Sequence, residues 1–244
     1  MPKTIWPEPF LSPMKSRLHV IALLAIGCAF TNASQAQTLP NGSAAFVDPD
    51  AAHVAEIRAL GEHVIMQLGG TLLNEVTTAV TQSGPEKAIE VCHLKALPLT
   101  RETMSGQPRI TEVKRTSQRL RNPANAPDAA EKLALTRVEQ DLASGNMPKT
   151  LMQQITVSGE PTEWRVYRPV MMAPACLTCH GPRETLPPAV RARLDTLYPE
   201  DQATGYAAGD WRGLIRVSVS DRPPRPTPQK RSTDERSLSG PNDF

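Results

Sequence analysis

Large aromatic side chains are scarce: tryptophan, tyrosine and phenylalanine together make up 4% of the 244 residues. A core so short of rings would gain from a large apolar cofactor. Neither sign of charge dominates, with 27 basic residues against 25 acidic ones and a net charge of +2. That balance removes the electrostatic case for a nucleic-acid partner. The chain also lacks a long hydrophobic run. The stretch LHVIALLAIGCAF, 18–30, is short of the roughly 20 apolar residues that a membrane helix needs, so no span is expected in the mature chain. No internal repeat is visible, and the length suits one domain with tails rather than several. Cysteine is rare, with four in the whole chain.

What is present begins with an export pattern. Lys15 and Arg17 precede the apolar run, and NASQAQT follows it, with small residues at Ser34 and Ala36 ahead of a cleavage point after Ala36. Residues 1–36 therefore read as a signal peptide that directs the chain to the periplasm. Cys28, after AIG, offers an alternative as a lipid anchor, although alanine stands where leucine is usual three residues before it. Cleavage would leave Cys92, Cys176 and Cys179. Three thiols in an oxidising compartment cannot all pair as disulfides.

Residues 37–50 are small and polar and read as a flexible segment. From Ala51 the spacing of Ile57, Val64, Leu68, Leu72, Val76 and Val80 predicts a long amphipathic helix, with Gly69-Gly70 marking a bend. Pro85 opens a second helix, EKAIEVCHLKA, which carries Cys92 and His93. Strands are expected at 110–117, 151–159, 163–171 and 210–220, the middle two forming a hairpin. Helices are expected at 128–144 and 187–198. The tail from 222 to 244 is rich in proline and charge and reads as disordered. The order of elements indicates an α+β domain over 51–221, with an antiparallel sheet, long N-terminal helices and flanking helices.

Chemistry concentrates in PACLTCHG, 174–181. Cys176, Cys179 and His180 make a CxxCH pattern. A redox dithiol needs no adjacent histidine. Structural zinc needs a second ligand pair that this chain does not offer in sequence. One covalently attached haem c needs only what is here: two thiols to take the vinyl groups and a histidine beside the second for the iron. Export fits, since covalent haem attachment in bacteria occurs outside the cytoplasm. The second axial ligand stays open among Cys92, His93, His53, His63, Met104, Met171 and Met172, or an empty position. Cys92 gains weight as the thiol left over once haem has taken the other two.

Four stretches in order, GPEKAIEVC (84–92), KRTSQRLRNPANAP (114–127), PACLTCHG (174–181) and YPEDQATGYAAGDWRG (198–213), resemble the PAS-like periplasmic c-type-haem sensor domains that occur alone or fused to histidine kinases and chemoreceptors. The resemblance covers roughly residues 50–220. It implies a PAS-type antiparallel sheet entered through a long helical N-terminus, haem on Cys176 and Cys179, His180 on iron and Cys92 as the second axial ligand, with His93 beside it as an alternative. Arg115, Arg119 and Arg121 cluster before the proline-rich loop, and Arg115 and Arg121 are expected to pair with the haem propionates, because a guanidinium matches carboxylate geometry. Nothing after Arg222 resembles a transmitter domain, so any signal passes through a periplasmic partner. The functions implied are a redox or gas sensor, with a small gas as ligand, or a low-potential electron carrier working with a redox partner. An enzyme is not expected, since no acid–base pair stands beside the motif.

Overall fold

The computed structural model describes residues 36–221 other than 95 and 105; the side chains of 91–93, 96, 97, 101 and 103 are not described. Apart from Ala36, the expected signal peptide lies outside the described residues, as do Cys28 and the tail from 222. No helix among the described residues is long and apolar enough to cross a membrane.

The architecture is α+β. Strands β1 (Gln37–Leu39) and β2 (Gly42–Val47) come first, then helices α1 (Ala55–Ser83), α2 (Pro85–Leu94) and α3 (Ala96–Thr103). Strand β3 (Ile110–Thr116) and helix α4 (Ala129–Ala143) follow, then the hairpin β4 (Leu151–Thr156) and β5 (Glu163–Met171). The single-turn helix α5 (Leu177–His180), helix α6 (Pro188–Leu197) and strand β6 (Trp211–Ser220) are the last elements among the described residues. The six strands form one antiparallel sheet in the order β1-β2-β4-β5-β6-β3.

Alternation along the central strands separates two faces. Trp164 and Val166 of β5 stand beside Val219 and Val217 of β6, and with Met152, Val113 and Ile215 they pack against Ile57, Val64, Ile65 and Leu68 of α1. Each fully buried aliphatic side chain there contributes about 1.5–3 kcal/mol. The helix comes close because Gly61 faces Val166; a methyl group at that position would lie 2.6 Å from the Val166 side chain. The Gly69-Gly70 pair does not interrupt α1, which runs unbroken through it.

The opposite face is partly polar. Under α4, Arg216 is 1% exposed and Glu131 fully buried, 2.8 Å apart, with the Nε–H axis turned away so that the contact is coulombic rather than hydrogen-bonded. Lys114 donates to the second Glu131 oxygen at 2.8 Å, and Tyr167 donates to Gln153 Oε1 at 2.7 Å. Leu135, Val138, Leu151 and Leu214 supply the apolar remainder.

One sequence expectation differs from the structure. Residues 37–50 include two strands rather than a loose segment: β1 pairs with β2, and β2 continues the sheet along β4 from Ser43↔Thr156 to Val47↔Met152. Small, polar residues suffice because the hairpin lies at the sheet edge and Ala44 alone in it is buried.

Candidate functional site

At the end of β5 the chain turns through a 3-10 turn, Pro174–Cys176, into α5. Cys176 and Cys179 are three residues apart on this helical path, so they share a side, and His180 follows at its end. Both thiols are half-buried and outside any disulfide. Gly181 is required by close approach: a Cβ there would sit 2.6 Å from Leu177 O, the oxygen that accepts the Gly181 N–H at 2.8 Å.

The segment between α6 and β6 closes over the back of the motif through its backbone. Gly205 N–H donates to Gly181 O at 2.7 Å and Tyr206 N–H to His180 O at 2.9 Å. His180 Nδ1 lies 2.7 Å from Ala203 O. A carbonyl only accepts, so Nδ1 carries the proton and the lone pair of the neutral ring is on Nε2. Burial lowers the His180 pKa, and Arg121, Arg212 and Arg115 add to that against the opposing Ala203 hydrogen bond; the result is about 3. The imidazole is therefore neutral at ordinary pH, the form that binds a metal. Tyr206 stands edge-on to it with ring centroids 6.4 Å apart, and the Arg119 guanidinium covers the Tyr206 ring at 4.1 Å.

In front of the motif lies a pocket of about 230 Å³, lined by His180 and Cys176, by Val170, Met172 and Leu214, and by Arg115, Arg121 and Arg212 among others. Apolar walls with a cationic rim suit a flat apolar ligand that carries carboxylates. No carboxylate appears among the described residues lining the pocket. Among the described residues, no three His, Cys, Asp or Glu side chains converge as a metal cluster.

The residues singled out from the sequence are distributed as follows. Cys176 and His180 meet at the pocket, and Arg115 and Arg121 line it. Cys179 packs instead beside Ile89, Leu186, Val190, Leu194 and Tyr198. Position 92 lies in α2, and its side chain, like that of His93, is outside the described residues. His53 is exposed and edge-on to Trp164, His63 is exposed on α1, and Met104 packs against the α1 core. Met171 reaches the pocket although 41% exposed, while Met172 is buried.

Arg121 is held differently from a plain rim arginine. Its Nη2 donates to Cys179 O at 2.6 Å and to Ala203 O at 3.2 Å, and it pairs with Asp201 at 3.0 Å. Asp201 also accepts the Ala203 N–H at 2.8 Å. Asp201, Ala203, Tyr206 and Arg212 were not among the site residues read from the sequence. Ala203 acts through its carbonyl, which leaves no mark on residue type.

The Tll0287-like family matches residues 51–220, and the chain belongs to that family. The match spans nearly the same residues as the four segments noted in the sequence. The solved structure of the cyanobacterial haem-protein Tll0287 is similar with a TM-score of 0.48 and 20% identity, over 72% of this chain and 99% of that one. No curated protein matches the chain.

Proposed function

We propose that this member of the Tll0287-like family is an exported c-type haem protein that works in the periplasm as a redox or gas sensor module. Cys176 and Cys179 hold one haem as thioethers, His180 Nε2 binds its iron, and Cys92 is the second axial ligand. The observation that carries the reading is the state of His180: its Nδ1–H is donated to Ala203 O, which leaves the ring lone pair on Nε2, and both His180 and Cys176 line the pocket. Binding of haem by the related Tll0287 is consistent with it. The cofactor, when bound, supplies a one-electron centre and a site for small gases.

The remaining work falls to the chain. The Ala203 carbonyl fixes the tautomer and orientation of the His180 ring. Val170, Met172 and Leu214 keep water from one side of the pocket, and Arg115 and Arg212 neutralise carboxylates at its rim. Position 92 follows Ile89 by three residues on α2, hence lies on the same helix face, and Ile89 packs against Cys179. That register brings the helix bearing Cys92 beside the motif. A labile thiolate would make a two-state switch read by a separate periplasmic partner. A low-potential electron carrier is the alternative, and the same spectra separate the two.

Protein matured with a cytochrome c assembly system will keep its haem after denaturation, and its ferrous form will take up carbon monoxide. Indifference to carbon monoxide would support the electron carrier, and absence of covalent haem would sink both. Cys92→Ala will shift the ferric Soret band and raise the midpoint potential, whereas an unchanged spectrum removes Cys92 from the iron. His180→Ala will lose most of the holoprotein.

A further inference from the structure

Arg121 and Asp201 form a nearly buried pair, with side chains 12% and 2% exposed, beside the His180 ring that the proposed function places on iron. The guanidinium is fully engaged. Nε–H donates to Asp201 Oδ2 at 3.2 Å, Nη2 donates to Cys179 O and Ala203 O, and Nη1 lies 3.4 Å from His180 Nε2. Ala203 O consequently receives two donors, the His180 Nδ1–H and the Arg121 Nη2–H. A carbonyl shared in this way accepts less strongly from the imidazole, and a weaker Nδ1–H bond makes the ring a poorer electron donor to a metal.

Charge acts in the same direction. Arg115, Arg121 and Arg212 all line the pocket, and no carboxylate does among the described residues. Asp201 lies just behind that lining, where it offsets Arg121 through contact and places its second oxygen on the Ala203 N–H. A cation close to an iron centre in a partly dry site favours the less positive, reduced state; a nearby anion favours the oxidised one.

We infer that Arg121 and Asp201 are a positioning pair that tunes the reduction potential at His180, with Arg121 raising it and Asp201 holding that rise in check. Arg121 therefore touches the iron ligand at Nε2, meets its Nδ1 side through the shared Ala203 carbonyl, and lines the pocket as well. The inference rests on the haem reading of the site and adds to it a second layer that this chain builds from a loop 80 residues away in sequence.

The test is the midpoint potential of covalently loaded holoprotein, measured for the wild type, Asp201→Asn and Arg121→Gln, with the ferric spectrum and haem yield recorded for each. Asp201→Asn keeps the size and a hydrogen-bonding oxygen but removes the charge, and its potential will rise. Arg121→Gln frees the Ala203 carbonyl and removes the cation, and its potential will fall. Both matured variants will keep the wild-type ferric spectrum, since the axial ligands are unchanged. Shifts of opposite sign are something a purely structural clamp cannot produce. A loaded variant whose potential equals that of the wild type overturns the inference, and so do shifts of the same sign. If one variant fails to mature, the sign of the other still decides; if neither holds haem, the pair is a structural clamp and the inference fails. Wild-type protein without covalent haem would instead remove the reading on which the inference stands.

Discussion

Asp128 shows how much one side chain can carry. It caps α4 by accepting the Glu131 N–H at 2.7 Å, while Glu131 returns the contact to the Asp128 N–H at 2.8 Å. Both of its oxygens also accept from Arg165 Nη1, at 2.9 and 2.7 Å. Burial pushes its carboxyl pKa up, but the Glu131 N–H and the Arg165 charge outweigh that and hold it below the usual 3.8. The folded value is thus lower than the unfolded one, so the stability it lends is complete above about pH 3.8 and fades as pH falls through the folded value. Asparagine caps helices as well as aspartate does, so Asp128→Asn isolates the charge. Urea midpoints will show Asp128→Asn less stable than the wild type at pH 7, with the gap narrowing below pH 3.8. A gap independent of pH would remove the charge from the account. The start of the helix at Asp128 was legible in sequence, whereas Arg165, 37 residues on, gave no local sign of being its partner. The candidate site divides the same way. Cys176, Cys179 and His180 are consecutive enough to be read as one pattern. Asp201 and Ala203 reach them through tertiary closure and backbone atoms, which a pattern of residue types does not encode.

Among the elements, α1 and the central strands depend on a close approach. Gly61 lets the helix backbone lie on Val166, and a Cβ would collide with both its Cβ and Cγ2 at 2.6 Å. Gly61→Ala will therefore destabilise the fold despite its better helix propensity, by about 1–3 kcal/mol, the usual cost of overpacking; chemical denaturation measures it. A gain in stability would show that the interface yields freely. The strands at β3, β4, β5 and β6 were legible because β-branched alternation is strong there and turn residues bracket the hairpin. β1 and β2 were not, since three- and six-residue strands of small side chains give too little periodicity to see. Their order comes from the exposed edge of β4, a tertiary cause. At Gly69-Gly70 the helix stays continuous, and a Cβ at either position would meet nothing within 4 Å.

The molecule as a whole sets a dry sheet face against a charged one. α1 covers aliphatic side chains, while α4 covers the Glu131–Arg216 pair, with Lys114 at one end and Glu163 within 3.4 Å of Arg216 at the other. Removing Arg216 leaves the fully buried Glu131 with Lys114 alone as its counter-charge, so Arg216→Met will cost up to about 3–5 kcal/mol. Joint replacement with Glu131→Leu will recover most of that loss, read as non-additivity in denaturation midpoints. If the double variant is as unstable as the sum of the two single ones, the pair is not acting as a unit.

The strand order carries a consequence in time. β6 closes the described chain yet occupies an interior place in the sheet, and β3 hydrogen-bonds to no other strand. β3 must wait for a partner about as distant as Ser117 is from Arg212, 95 residues along. Pairings of such long range are slow, because the entropy of loop closure comes before any contact is gained. The segment with the two thiols lies just ahead of β6, and the loop that seals its back arrives only with that strand. The Cys176 and Cys179 sulfurs are thus open while β6 is unpaired and become half-buried only when it docks, so the pace of that strand sets how long both thiols stay exposed.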